Sequence, residues 1–305
     1  MGNGEIGKVT LVSGLPFGLS EAVIEAATKI KFESARENGV LKTTNKTIEY
    51  GFSLYNHLDF IVDTRKQPLA TIDEKADVII NKAVARLGGE KYLNVKTVIG
   101  RGNYSQFADG VVVTPSVFVD YISSPDKERT EFKSLESKII QTNVGDRGWI
   151  FDSAARAVND QNPMQIENHK QIVRTSLDYF LRGKWRGDKD AKLEYVGKRE
   201  AGFAKRNDVV SLIYGDGLKI EFEFEMDGTP VKSFYKRRDR EDVETSEEDR
   251  FAQFVDIEGV FVPLIIDHFR DGKQISRINY ISIEINAPIS DSIFAKPANI
   301  KNLKK

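Results

Sequence analysis

The stretch that decides the fold is Leu218-Lys219-Ile220-Glu221-Phe222-Glu223-Phe224-Glu225-Met226. Apolar and charged residues alternate here without exception, which is the period of a β-strand with one dry and one wet face. A sheet with one wet face is typically antiparallel. Turn-forming residues precede the stretch at positions 215–217 and follow it at positions 227–230. The strand is therefore predicted to lie between hairpin partners in a meander.

The composition excludes several functional classes. The 305 residues include 45 basic and 46 acidic side chains and no cysteine. The formal net charge of -1 predicts no nucleic-acid partner and only peripheral or transient contact with a membrane. The histidines have no metal-ligand spacing, and no nucleotide-binding or nucleophile motif follows a strand. We therefore expect no metal, no cofactor and no catalytic residue, and we interpret the protein as a non-enzyme.

The first 56 residues are predicted to form a small β-α-β unit. A strand is expected over residues 6–12, a helix capped by Ser20 over residues 21–31, and a second strand over residues 44–55. Such a unit is too small to bury a full core by itself. We expect it to leave a strand edge that needs a partner.

This segment resembles part of a TonB C-terminal domain. The matching residues are Gly4-Glu5-Ile6-Gly7-Lys8-Val9, Ser13-Gly14-Leu15, Gly18-Leu19, Glu21-Ala22, Glu25-Ala26-Ala27, Phe32, Asn38-Gly39, Glu49-Tyr50, Phe52 and Leu54. The family's first strand, proline-rich spacer and membrane anchor have no counterpart here, so the chain is interpreted as beginning inside that domain. The resemblance implies binding of an envelope protein by strand addition.

Residues 57–72 show no sustained periodicity and are interpreted as a linker. Asp73 is then predicted to cap an amphipathic helix that ends at Leu87, before Gly88-Gly89. Its apolar residues recur at helical spacing, so we expect it to lie on a sheet.

The rest of the chain is predicted to be mainly β. Strands are expected over residues 95–104, 111–123, 129–135, 138–144 and 148–151, and again between residues 191 and 286. One helix interrupts them, with Asn162 as N-cap, Pro163 at the first position and Gln165 completing a capping box, and it is expected to continue to Leu181. A large antiparallel sheet should curl around this helix, because the dry face of the sheet is the apolar surface available for the helix to pack on.

Residues 73–300 resemble the LolA/LolB-like superfamily of envelope lipoprotein-sorting proteins. The matching residues are Gly88-Gly89, Gly100, Gly102, Tyr121-Ile122, Pro125-Asp126-Lys127, Gly148-Trp149, Asp256, Gly259, Pro263, Asp271-Gly272, Ile283, Ile285-Asn286, Ile289, Asp291, Phe294 and Pro297. The resemblance implies a mainly β (α+β) fold, namely a curved antiparallel half-barrel with helices on its concave side and lipid tails as cargo. It also implies a place in the periplasm or cell envelope of a Gram-negative bacterium. Residues 301–305 are interpreted as a basic tail.

The predicted site is an apolar cavity between sheet and helix. Its candidate lining residues are Trp149, Phe151, Leu177, Phe180, Leu181, Leu218, Ile220, Phe222 and Phe224. Aromatic residues at strand and helix spacing also form solid cores, and the sequence leaves cavity and core as alternatives.

Two functions follow from these predictions. The first is an envelope carrier or binding protein for a lipid or lipoprotein acyl chain. The alternative is a protein-interaction module of a TonB-type envelope system, in which the β domain serves as a scaffold. An open apolar cavity would favour the carrier, and a filled core would favour the interaction module.

Overall fold

The computed structural model describes residues 70–238 and 243–303, together with residues 6, 8–10, 24–25, 27–30, 36–37 and 40–41. The chain divides into two compact units, Met1–Phe60 and Ile61–Lys305.

In the first unit, residues 24–25 and 27–28 are helical, as predicted for this segment. β1 (Arg36–Glu37) pairs antiparallel with β2 (Val40–Leu41). The strand predicted over residues 6–12 is wrong for residues 6 and 8–10, which have no regular secondary structure. Most of the TonB-like segment, including the strand predicted over residues 44–55, lies outside the described residues.

The second unit is built on one open sheet of 14 strands, which confirms the predicted mainly β, curved antiparallel architecture. The strands are β3 (Thr71–Ile72), β4 (Thr97–Ala108), β5 (Val111–Ser123), β6 (Lys127–Lys133), β7 (Lys138–Val144), β8 (Arg147–Asp152), β9 (Ala157–Asp160), β10 (Lys192–Glu200), β11 (Arg206–Ile213), β12 (Lys219–Phe224), β13 (Pro230–Arg238), β14 (Glu244–Ile257), β15 (Val260–Arg270) and β16 (Lys273–Ile285).

The strand order explains why the chain folds into one sheet despite the helical interruption. The order is β3-β10-β11-β12-β13-β14-β15-β16-β4-β5-β6-β7-β8-β9. After β9 the chain leaves one edge, passes through helices and resumes at β10 near the other edge, and β16 then pairs with β4 to join the two meanders. All described pairs in this sheet are antiparallel except the short parallel pair of β3 and β10.

The hairpin turn between β4 and β5 is formed by an Asp-Gly pair. Asp109 and Gly110 join β4 to β5 with φ angles of 50° and 80°. Positive φ at both central residues is the geometry of a type I′ turn, whose twist matches that of the flanking strands.

The observed strand is shorter than the alternating stretch of sequence, which runs from Leu218 to Met226. β12 spans Lys219–Phe224, whereas Met226 is exposed in the turn that follows. The turn begins early because the Glu225 amide donates to the Thr229 carbonyl at 2.9 Å. The predicted wet face is also partly dry. Glu223 is buried, and its carboxylate accepts a hydrogen bond from the Asn207 side chain at 2.7 Å.

Two predicted helix starts are confirmed. α1 (Glu74–Arg86) begins at Asp73, whose side chain accepts from the Ala76 amide at 3.0 Å. A short helix, α2 (Glu90–Leu93), follows it. α3 (Pro163–Thr175) has the predicted capping box between Asn162 and Gln165.

The predicted continuous helix to Leu181 is wrong, because the chain breaks at Ser176. Ser176 has extended backbone angles, and α4 (Leu177–Leu181) starts anew behind it. The Ser176 hydroxyl donates to the Val173 carbonyl and accepts from the Tyr179 amide, so it ends one helix and caps the next. Short 3-10 helices follow at Lys184–Gly187, Asp291–Ile293 and Ile300–Leu303.

Candidate functional site

The two faces of the sheet are defined by β12. We call the face that carries Phe222 the inner face and the face that carries Glu221 the outer face. Helices α1 and α4 pack on the inner face over β10 to β13 and bury a continuous apolar cluster. Its members with no exposed surface include Ala76, Ala83, Phe180, Ala191, Val210, Leu212, Ile220, Phe222 and Phe224.

Seven of the nine predicted site residues come together in this cluster. Five of them are buried in it, and Leu177 and Leu218 pack against it. The Phe180 ring stacks on the Phe222 ring with centroids 3.9 Å apart and planes 7° from parallel. This half of the inner face is therefore solid core.

Trp149 and Phe151 lie elsewhere. They form a second cluster with Ile140 and Leu303. Strand register shows that this cluster is on the outer face. Directly paired residues share a face, and the inner face continues through Phe118, Phe132, Ile139 and Asp152, so that Phe151 points the other way.

The C-terminal segment covers this outer cluster. The Trp149 indole N–H donates to the Phe294 carbonyl at 2.9 Å, and Arg129 donates to the Ile293 carbonyl at 2.6 Å. The Arg129 guanidinium also lies 5.4 Å from the centre of the Trp149 ring. Trp149 and Phe151 thus hold the end of the chain against the outer face of the sheet, whereas Phe222 lies on the inner face of a distant strand.

A second apolar surface, outside the cluster that the helices bury, lies on the other half of the inner face. We call it the inner stripe, and it comprises Tyr104, Phe118, Phe132, Ile139, Phe251, Ile266, Ile278 and Tyr280. One row pairs Phe251 with Ile266, Ile278 and Tyr104 across β14, β15, β16 and β4. The neighbouring row runs from Tyr280 past Gly102 to Phe118, Phe132 and Ile139.

The aromatic members of the inner stripe are in mutual contact. Ring centroids lie 5.1 Å apart for Tyr104 and Phe132, and 5.2 Å apart for Phe118 and Tyr280. Gly100 and Gly102 make room for this arrangement, since a Cβ on Gly100 would lie 2.4 Å from the Tyr280 ring. Phe118 is buried, Ile139 is exposed, and the other six are half-buried.

The sequence analysis missed the inner stripe. Alternation within one strand separates its two faces, but only the register between strands shows which faces coincide. The eight residues come from seven strands, and no short pattern connects them.

A charged row borders the inner stripe on one side. His268 on β15 contacts two carboxylates, with Nδ1 2.6 Å from Asp249 and Nε2 3.0 Å from Glu247. Arg270 also contacts Glu247 at 2.9 Å. Burial would lower the pKa of His268, but the hydrogen bonds to Asp249 and Glu247 outweigh it and raise the pKa to about 9.

A second polar row borders the opposite side of the inner stripe. Asp120 is buried on β5 and accepts a hydrogen bond from the Thr130 hydroxyl at 2.8 Å. Burial, assisted by the nearby Glu128 carboxylate, raises the pKa of Asp120 to about 8. Burial also raises the pKa of Glu128.

Helix α3 contacts the second polar row at Glu128 and the turn between β11 and β12 at Asp216. His169 approaches Glu128 at 3.9 Å and Lys170 pairs with Asp146 at 2.6 Å, both from the middle of the helix, while Arg174 in its last turn pairs with Asp216 at 2.8 Å. Thr175 is the single residue of α3 that is buried. The ion pairs of Lys170, in the middle of the helix, and Arg174, in its last turn, therefore hold α3 more than apolar burial does.

The polar groups do not assemble into a catalytic set. Both ring nitrogens of His268 face carboxylates, so neither is free to act as a base toward a hydroxyl nucleophile. Within residues 70–238 and 243–303, no three His, Asp or Glu side chains form a group that could hold a metal ion. The same part of the chain has no helix long and apolar enough to cross a membrane.

Comparison with known proteins gives similarity at the level of structure alone. No family model and no curated protein matches the chain. An outer membrane lipoprotein-sorting protein domain from Vibrio parahaemolyticus is similar over 75% of this chain and 98% of its own, with 11% identity and a TM-score of 0.49. A LolA superfamily protein from Nitrosomonas europaea is similar over 72% of this chain and 97% of its own, with 14% identity and a TM-score of 0.45. Neither comparison supports the TonB resemblance.

Proposed function

We propose that the protein binds the acyl chain of a lipid or lipoprotein along the inner stripe. The observation that carries this proposal is a two-row apolar surface of mostly half-buried side chains, outside the cluster that α1 and α4 bury, between two polar rows on one face of the sheet. A long apolar tail with a polar end fits such a surface, because the tail can lie on the stripe while the end reaches a polar row.

The dimensions suit a fatty acyl chain. The inner stripe spans seven adjacent strands, so its length across the sheet is roughly 29 Å at about 4.8 Å per strand spacing. Each methylene transferred from water to an apolar surface gains up to about 0.8 kcal/mol. A chain of a dozen or more methylenes therefore needs no ion pair for binding.

The seven predicted cavity residues in the filled cluster have a supporting role in this proposal. Phe180, Phe222 and their neighbours anchor α1 and α4 at one end of the inner face. Direct contact between these residues and a ligand remains a proposal, and it would require α4 to move away from the sheet.

We place the protein in the periplasm or cell envelope, where such cargo is handled. The alternative function, an interaction module with the β domain as scaffold, is favoured by the solid packing of Phe180 on Phe222. The inner stripe, whose aromatic and aliphatic side chains are mostly only half-buried, favours the binding function more strongly, since a scaffold has no need of such a surface.

Adjacent residues of one strand provide a matched test. Ile266 lies on the inner stripe and Ile265 lies on the outer face of β15, and both are half-buried. Ile266→Asp should abolish binding of a fluorescent fatty-acid probe, because it places a carboxylate against the acyl chain. Ile265→Asp should bind the probe like the parent.

Circular dichroism must first show that both variants are folded. Equal binding by the two variants would show that the inner stripe is not the site, and failure of the parent to bind the probe would refute the function. Native mass spectrometry of the parent should in addition reveal copurified lipid.

A further inference from the structure

Two neighbouring hairpin tips expose apolar side chains at one end of the sheet. The turn between β10 and β11 presents Phe203, which is fully exposed, and the turn between β12 and β13 presents Met226, which is 72% exposed. Both residues line one surface cavity of about 720 Å³, so the two tips form a single surface. We call this surface the tip patch, and it comprises residues 201–206 and Met226.

The β10–β11 turn is apolar and has a fixed shape. Residues 201–204 are Ala-Gly-Phe-Ala, and all four are exposed. Turns are normally polar, and a run of exposed apolar residues usually marks a contact surface. The Ala201 amide donates to the Lys205 carbonyl at 3.0 Å, and Ala204 has a φ of 57°, which is unfavourable for a residue with a Cβ. The turn therefore presents Phe203 to solvent at a cost in backbone energy.

Basic residues lie directly behind the apolar turn. Residues 198–206 include four basic side chains and one acidic one, in a chain with a formal net charge of -1. The two basic residues before the turn pair with carboxylates of β11 and β12. Lys205 and Arg206 after the turn are exposed, and the pair of Arg206 with Glu200 is long, at 3.7 Å, and solvent-screened. The tip patch thus combines an apolar end with positive charge behind it.

Helix α1 supports the second tip. Lys82 donates to the Met226 carbonyl, and Arg86 pairs with Asp227 at 3.1 Å. These contacts hold Met226 in place and compensate the carboxylate beside it.

We propose that the tip patch docks the protein on an anionic lipid surface, with Phe203 and Met226 in the apolar layer and Lys205 and Arg206 at the headgroup phosphates. The order of the residues favours this partner. The apolar side chains are at the extreme tip and the basic ones lie behind them, which matches hydrocarbon beneath a layer of charged headgroups. A protein interface would instead need a broad apolar core with a polar rim.

The docking should be weak and reversible, because two apolar side chains and two cations are a small anchor. The tip patch shares no residue with the inner stripe. Membrane docking and acyl-chain binding can therefore fail separately.

Flotation with lipid vesicles tests the proposal. The parent should bind vesicles of equal parts phosphatidylcholine and phosphatidylglycerol, and bind phosphatidylcholine vesicles at least about fivefold more weakly. Lys205→Gln should weaken binding to the anionic vesicles about fivefold, and added salt should weaken it further. A parent that does not bind the anionic vesicles, or binds both kinds equally, would overturn the proposal.

Two fully exposed residues provide a matched pair of variants. Phe203→Ala should weaken binding to the anionic vesicles by about tenfold or more, because it removes the inserted ring. Leu135 is also fully exposed, but it lies in the β6–β7 turn at the opposite end of the strands, and Leu135→Ala should bind like the parent. Equal binding by these two variants refutes the assigned site.

The fatty-acid probe separates this proposal from the proposed function. Phe203→Ala should bind the probe like the parent, and if it loses the probe as well, the tip patch is not a separate membrane contact.

Fluorescence gives an independent measurement, because Trp149 and Trp185 are both buried. The added emission of Phe203→Trp should shift to shorter wavelength on anionic vesicles, whereas that of Leu135→Trp should not. Equal shifts, or no shift from Phe203→Trp, would also overturn the proposal.

Discussion

The aromatic ring of Phe180 on α4 lies flat on the ring of Phe222 on β12, with 3.9 Å between their centroids. Neither side chain has exposed surface. This stack joins the helical segment to the sheet at the strand whose alternation decides the fold. It also replaces the cavity expected at this position with packed core.

Removal of the Phe222 ring should therefore destabilise the fold. Phe222→Ala is expected to lower the free energy of unfolding by about 3–5 kcal/mol, through lost burial and the cavity left under Phe180. Phe203→Ala makes the same substitution at a fully exposed loop position and should change stability by less than about 0.5 kcal/mol. Urea unfolding of both variants provides the measurement, and similar midpoints would contradict the packing described here.

His268 should make stability depend on pH. Its pKa in the folded protein, about 9, lies above the ordinary value of 6.5. The stabilisation of the fold by the charged imidazole is therefore complete below pH 6.5 and is lost as the pH rises through about 9. His268→Gln should be less stable than the parent by about 1–3 kcal/mol at pH 6, with a gap that narrows toward pH 9.5. Asp249 and Glu247 are the carboxylates that make the charged form favourable.

The other described histidine on the inner face is the control for that measurement. Burial lowers the pKa of His169, so His169→Gln removes a group that opposes folding in acid. Its stability difference from the parent should not narrow between pH 6.5 and pH 9. If the difference in unfolding free energy between His268→Gln and the parent is constant over this range, the assigned ion pairs are contradicted.

Asp120 should destabilise the protein in alkaline solution. Its folded pKa of about 8 exceeds the ordinary value of 3.8, so the unfavourable burial of its charge develops as the pH rises from about 4 to about 8. Asp120→Asn should match the parent near pH 4 and exceed its unfolding free energy by on the order of 2 kcal/mol at pH 8.5. Thermal melts at the two pH values test this expectation. Asp146→Asn, at an exposed carboxylate paired with Lys170, should give no gain at pH 8.5.

Local patterns in the sequence predicted local structure well. The alternation around Phe222 identified β12, and Asp73 and Asn162 marked the starts of α1 and α3, because capping depends on a few neighbouring residues. The break at Ser176 was harder to predict from the sequence. Its hydroxyl forms backbone hydrogen bonds that compete with the helix, whereas the apolar spacing continues through it.

The candidate site depended on information that local patterns do not contain. Trp149 and Phe222 each alternate correctly within their own strands, yet they lie on opposite faces of the sheet, and eight strands lie between β8 and β12. A face assignment across that distance requires the register at every intervening pair. The inner stripe was missed for the same reason, since its residues are scattered over seven strands.

Trp149 provides a final prediction, which concerns the outer face. Its indole N–H donates to the Phe294 carbonyl, and Trp149→Phe removes that donor while it keeps an aromatic ring. A buried carbonyl left without its partner costs about 1–3 kcal/mol. The cost should appear locally, as faster hydrogen exchange of the Phe294 and Ala295 amides, which belong to the turn that Trp149 holds.

The second tryptophan is the matched control for this measurement. The Trp185 indole donates to the Phe180 carbonyl at the same distance of 2.9 Å, but it does so in the inner cluster. Trp185→Phe should lower global stability by a similar amount and leave exchange at Phe294 and Ala295 at the parent rate, apart from global unfolding. If both variants accelerate exchange at these amides equally, Trp149 does not specifically hold the C-terminal segment, and the apolar packing of Ile300 and Leu303 on the outer cluster holds it instead.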